Sequence, residues 1–126
     1  MAILEIALRQ YLIDEGVEAG IFPIILPQSP SYPAVTYQVI SNQGHHDIPV
    51  DYPRIQITTW SPSFLDAQTL ANDIEGILVR YKGVMGGYRI KQIVKEPSPG
   101  ALYDRDAGDS GLYYVPVDYR VIYERK

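Results

Sequence analysis

The chain has 126 residues, 46% hydrophobic and 21% charged, with a formal net charge of -4 and a pI near 5.0. That length can bury one core without a metal or disulfides, and the balance excludes disordered and fibrous chains. The acidity excludes the global positive field that draws proteins to phosphate backbones, and the absence of cysteine removes disulfides, thiolate nucleophiles and cysteine-ligated zinc or iron–sulfur sites.

Residues 1–12 are apolar but interrupted by Glu5 and Arg9. They lack a basic leader and are too short to cross a bilayer, so synthesis in the cytoplasm is expected. Ile3, Ile6, Ala7, Gln10 and Ile13 keep helical spacing, and Leu4, Leu8, Tyr11 and Leu12 widen the stripe, which predicts a first helix ended by Gly16 and covered on more than one side. Residues 21–26 are a short apolar run broken by Pro23 and Pro27, read as an edge strand, and 27–33 as a loop.

Residues 34–40 and 54–60 alternate and are rich in β-branched side chains, so both are predicted strands, the second with Ile55, Ile57 and Thr59 on one face. The polar stretch between them, 41–53, is too long for a tight turn and reads as an extended hairpin loop. A second helix follows, with Ala67, Leu70, Ala71, Ile74, Ile77, Leu78 and Tyr81 in its stripe. Ser61 before Pro62 is the expected N-cap, with Ser63 as the competing one, and Gly83 is the expected end. Residues 88–95, after Gly86-Gly87, and 112–123 are further strands; Pro116 inside the latter predicts an edge strand or a bulge.

This order predicts a single α+β domain spanning 1–126: an antiparallel or mixed sheet, two helices packed on one side, and two long loops at 41–53 and 96–111. Tyrosine is abundant, at 11 against two Phe and one Trp, and a large ring with a hydroxyl that can stay wet suits half-buried faces and subunit interfaces.

The chemistry available in this inventory is thin. His45, His46, Asp47 and Asp51 put imidazoles and carboxylates in one loop, the donor types of a transition-metal site, but adjacent histidines do not converge on one point without further ligands at fixed spacing. A solvated or interface loop is the default reading. Asp104, Asp106 and Asp109 resemble a cation loop, yet the glycine falls one place early for a twelve-residue calcium loop and no Glu closes it. No nucleophile elbow, phosphate loop or acid–base pair is apparent, so no catalysis and no cofactor are expected.

Arg80, Lys82, Arg89, Lys91 and Lys95, interleaved with Tyr81 and Tyr88, have the composition of a nucleic-acid-facing strip and define the alternative reading, a small nucleic-acid-binding module. The principal reading is fitting of surfaces to other subunits. Its candidate residues are Ile3 and Tyr11 on the first helix, His45, His46, Ile48, Val50 and Tyr52 in the first long loop, and Leu102, Tyr103, Asp104, Arg105 and Asp106 in the second.

The order of short signatures resembles the tail-completion proteins of long-tailed bacteriophages, head-to-tail joining subunits related to tail terminators. The residues that carry the resemblance are the amino-terminal helix; Ile21-Phe22-Pro23 and Leu26-Pro27; Pro33-Ala34-Val35-Thr36-Tyr37 with Ile40-Ser41; Arg54-Ile55-Gln56-Ile57 leading to Trp60; Ala67, Leu70 and Ala71; and Gly111-Leu112-Tyr113 followed by Val117-Asp118-Tyr119. They span most of the chain; the Gly86-Gly87 segment and the extent of the two long loops depart from the pattern. The resemblance implies a non-enzymatic virion component made in the host cytoplasm. It further implies a ring of six subunits that caps the tail tube, meets the head's connector and lets DNA pass without specific binding. It brings no catalytic residues and no membrane.

Overall fold

The computed structural model describes residues 4–28, 30–41, 44, 47–107 and 111–124. Its elements are, in order, α1 (Leu4–Asp14), β1 (Gly20–Pro23), β2 (Ala34–Ser41), β3 (Val50–Asp51), β4 (Arg54–Ser61), α2 (Phe64–Leu78), β5 (Gly83–Met85), β6 (Tyr88–Lys95), β7 (Leu102–Asp104) and β8 (Leu112–Glu124).

In α1, two apolar rows compete for the core. The structure buries Leu4, Leu8 and Leu12 and turns Ile6 and Ile13 outward. The rival row would have buried Gln10, whose amide instead donates to Asp14 at 2.9 Å in solvent. Gly16, at φ +93°, ends the helix: its N–H donates to the Ile13 carbonyl and that of Val17 to the Leu12 carbonyl, the paired bonds of a Schellman cap.

The sheet has the order β1-β2-β4-β8-β6-β5, all antiparallel except β1 beside β2, so it is mixed. β8 is its axis. Ile55, Ile57 and Thr59 of β4 and Val115, Val117, Tyr119 and Val121 of β8 share one buried face with Ala67, Ala71, Ile74 and Leu78 of α2. Thr59 ties that layer together by donating to the Ala67 carbonyl at 2.9 Å.

Both helices contribute to this one core, and α1 reaches the two terminal strands of the sheet. Arg9 Nε donates to the Ile21 carbonyl of β1 at 2.9 Å, and α1 also packs on β5. A Cβ on Gly86, in the β5–β6 turn, would stand 2.5 Å from that of Ala7. The sheet therefore curls, and α1 closes the opening between its ends. Among the described residues the helix buries only the Leu4, Leu8 and Leu12 row and leaves Ile6 and Ile13 exposed, so cover on more than one side is not seen within the chain.

Several expectations need correction. Pro116 does not mark an edge strand: β4 pairs along one side of β8, while β7 pairs with Leu112–Tyr114 and β6 with residues 119–124 on the other. The Asp118 backbone bonds face the β6 side, so by two-residue alternation the Pro116 nitrogen faces that side too, in the gap between β7 and β6 where no ladder bond is lost. Ser63 is the N-cap of α2, its Oγ accepting from the Asp66 N–H at 3.3 Å; Ser61 Oγ accepts from the Ser63 N–H instead.

α2 stops at Leu78, before Gly83, which at φ +140° opens β5. β5 and β6 form a hairpin on the two-residue Gly86-Gly87 turn, whose φ values of +56° and +88° suit glycine. Each long loop also holds a short strand: β3 adds to the end of β8 beside β4, and β7 to its start. The strand expected over 21–26 is β1 and ends at Pro23.

Candidate functional site

The basic residues do not form one strip. Arg89 and Lys91 both reach Glu124, at 3.6 and 3.0 Å, and the bond from Lys91 foremost holds that carboxyl below its ordinary range. A register shift after Ile90 turns Lys95 to the helix side, where it meets Glu75 of α2 at 3.0 Å. Arg80 and Lys82 lie beyond the end of α2, exposed and without an ion pair among the described residues.

His45 and His46 lie outside the described residues, as does Ile3, and Asp47 is exposed. Asp51 accepts from the Tyr123 hydroxyl at 3.1 Å. Among the described residues no three His, Asp or Glu side chains gather to hold a metal ion, and no helix is long and apolar enough to cross a membrane.

The helix-free face of the sheet is held by polar contacts at one end. Asp118 accepts from Arg54 Nε at 2.7 Å and Gln56 Nε2 at 3.0 Å; Arg120 donates to Glu96 at 2.8 Å and to the Tyr52 carbonyl at 3.1 Å, lying over the Tyr52 ring. Tyr52 is thus fixed within its own chain, as is Val50 by pairing with Glu124, whereas Ile48 is exposed. At the other end Trp60 stacks on Tyr114, centroids 4.9 Å apart, and donates to Thr36 Oγ1 at 3.0 Å.

Among the described residues, three surfaces stand out as uncovered. One lies at the start of α2, where Phe64 and Leu65 are 50% and 70% exposed near the half-exposed Tyr103 of β7; Leu102, paired with Tyr114, is exposed on the sheet's other face. Tyr113 joins this patch: its ring lies 5.8 Å from Phe64 and 4.7 Å from Tyr103. Asp104 instead lines the cavity beside Trp60 and Leu112 and accepts from the Asp106 N–H through Oδ1, while Arg105 and Asp106 are exposed.

A second is a groove of about 920 Å³ where the end of α1 meets α2. Leu70, Gly76 and Ile77 line its α2 side, Tyr11 and Val17 its α1 side, with Glu15, Glu18 and Asp73 along one part and Arg80 and Lys82 along another. Tyr11 and Tyr81 meet edge to face at 4.5 Å, and Tyr81 donates to the Val84 carbonyl at 2.6 Å. Burial first, then Glu15 and Tyr81, raises the Tyr11 hydroxyl above its ordinary value.

The third follows β1, where Ile24, at φ +65°, and Ile25 stand 64% and 74% exposed. A β-branched residue in that conformation is strained. Hydrogen bonds from Ile24 N–H to Tyr37 O and from Ile25 N–H to Pro23 O fix it there, over a cavity of about 530 Å³ floored by Trp60 and Leu112.

Of the candidates named from the sequence, Tyr11, Tyr103 and Asp104 lie at these surfaces, while Phe64, Leu65, Gly76 and Ile24-Ile25 were not among them. Leu65 carried a signal, because it lies off the apolar stripe of α2 among polar positions. Phe64 continues that stripe and is half exposed, with one edge against Tyr113. The arrangement as a whole offers apolar, aromatic and hydrogen-bonding surface.

No family model matches this chain, and no curated protein matches it. Among solved structures it is similar to a chain of a structure described as the virion of a native gene transfer agent particle. The TM-score is 0.74 over 96% of this chain and 94% of that one, at 15% identity, so what the two chains share is the fold.

Proposed function

We propose that this chain is a non-enzymatic structural protein of a virion, and within it a tail-completion subunit of a long-tailed, phage-like particle. Six copies close a ring that caps the tail tube and joins it to the head connector. The observation that carries this reading is the likeness, over almost the full length of both chains, to a component of the gene transfer agent virion.

The surfaces support it: apolar and aromatic side chains stand uncovered at separate places on a small acidic domain, as a subunit packed between several neighbours requires. The mechanism is geometric. Each copy presents unlike surfaces to its two neighbours until rotation closes the ring, and residues 41–53 and 96–111 reach towards the rings above and below. A net charge of -4 lets DNA pass without tight phosphate contact.

The test is particle assembly with the gene for this chain disrupted. Filled heads and separate finished tails are expected, with joining restored when the protein is supplied. Normal joined particles without the protein would reject the reading.

A further inference from the structure

The cavity beyond β1 lies on the helix-free face of the sheet, and its floor is already fixed from within the chain. Trp60 Nε1 donates to Thr36 Oγ1 at 3.0 Å, and Tyr114 stacks on the indole with centroids 4.9 Å apart. With that donor satisfied, the ring offers the cavity only its π surface. Leu112 completes the floor, and Ile24, Pro27 and Pro30 form walls that bring no charge.

Asp104 is the one charged side chain in the lining. It stands beside Leu112, its cross-strand partner, and among the described residues it forms no ion pair; its Oδ1 accepts the Asp106 N–H at 3.0 Å. Ile24 and Ile25, which also line the cavity, are held largely in solvent by a strained backbone, an arrangement that calls for cover from outside the chain.

Any cover that buries those two side chains also strips water from Asp104. A carboxylate desolvated without a partner is strongly disfavoured, so the covering protein must bring a cation. Arginine meets the site better than lysine: its planar guanidinium lies on an indole face while two of its N–H groups reach one carboxylate, and its stem is apolar against the prolines. A cavity of about 530 Å³ has room for such a side chain together with flanking backbone.

We propose that this cavity receives an arginine side chain from a neighbouring virion protein, with the guanidinium against Trp60 and Asp104 and the residues beside it covering Ile24 and Ile25. The inference rests on the virion reading above only for the source of the arginine.

Trp60 is the chain's only tryptophan, so its fluorescence reports on this cavity. The probe is the peptide acetyl-Gly-Leu-Arg-Leu-Gly-amide, titrated to about 10 mM beside the same peptide with citrulline, which keeps the shape and removes the charge. The arginine peptide should change Trp60 emission saturably, and the citrulline peptide should bind more than tenfold more weakly. Asp104→Asn keeps an acceptor for the Asp106 N–H, so it should leave circular dichroism unchanged and lose the same factor in binding, whereas Asp106→Asn should not.

No saturable change, equal binding of the two peptides, or undiminished binding by Asp104→Asn would overturn the proposal. In particles, Asp104→Asn should join heads to tails poorly. If that variant loses the peptide yet joins particles normally, the arginine does not come from a virion neighbour and the proposal fails, while disruption of the gene still judges the joining role on its own.

Discussion

Tyr119 lies at the centre of β8 with 0% of its surface exposed, and its hydroxyl is a buried polar atom without a hydrogen-bond partner among the described residues. Leaving such a group unmade costs about 1–3 kcal/mol, so Tyr119→Phe, which keeps the ring and removes the hydroxyl, is expected to stabilise the fold by about 1 kcal/mol. Unfolding entropy near 2.1 cal/mol/K per residue makes that a rise in Tm of roughly 4 °C for a chain of this size.

The same substitution carries a pH signature. Burial first, and the Glu75 carboxylate second, push the Tyr119 hydroxyl far above its ordinary value of 10.0. A folded-state pKa that is raised contributes stability in full below the unfolded value and loses it as pH rises past that value, because the unfolded tyrosine ionises and the folded one does not. The advantage of Phe over Tyr should therefore be flat up to about pH 10 and widen above it. Thermal unfolding of both proteins by circular dichroism from pH 7 to 11 checks this. A lower Tm for Tyr119→Phe, or an advantage that shrinks above pH 10, would show that the hydroxyl has a partner and refute the reasoning.

Gly76→Ala should stabilise the chain by about 1 kcal/mol in denaturant unfolding, since the Cβ meets open space. Gly86→Ala should destabilise by about 2 kcal/mol, because its Cβ would press on Ala7 where α1 closes the sheet and its φ is +56°. Asp118→Ala strips the acceptor from both Arg54 and Gln56 and is expected to cost about 1–2 kcal/mol. Fluorescence anisotropy with duplex DNA at about 0.15 M salt should show no binding, and neutralising Arg89 and Lys91 should not alter that, since both already serve Glu124; tight, salt-sensitive binding would favour the nucleic-acid reading.

Much of the fold is legible in the sequence, because period-two alternation in 54–60 and 112–123 and the spacing of Ala67, Ala71, Ile74 and Leu78 each admit one solution. α1 is different: two apolar rows satisfy helical spacing, and the choice between them depends on which one meets the curled sheet, a tertiary fact. Pro116 misleads for a related reason. Its missing N–H is harmless only because β6 and β7 leave a gap opposite it, and neither neighbour is local in sequence.

The short strands β3 and β7 have no periodicity of their own and exist because β8 is long enough to pair beyond β4 and β6. The candidate surfaces are less legible still. Composition suggests a protein that fits against others, but exposure of Leu65 or Ile25 depends on where elements end relative to the sheet. That dispersal of the five basic residues is set by the register shift after Ile90 and by the end of α2.

As proposed, this chain joins one part of a virion to another by shape. Electron microscopy of particles produced without the protein tests it most directly. DNA-filled heads and complete tails should remain apart until purified protein is added; joined, infectious particles in its absence would refute the joining role.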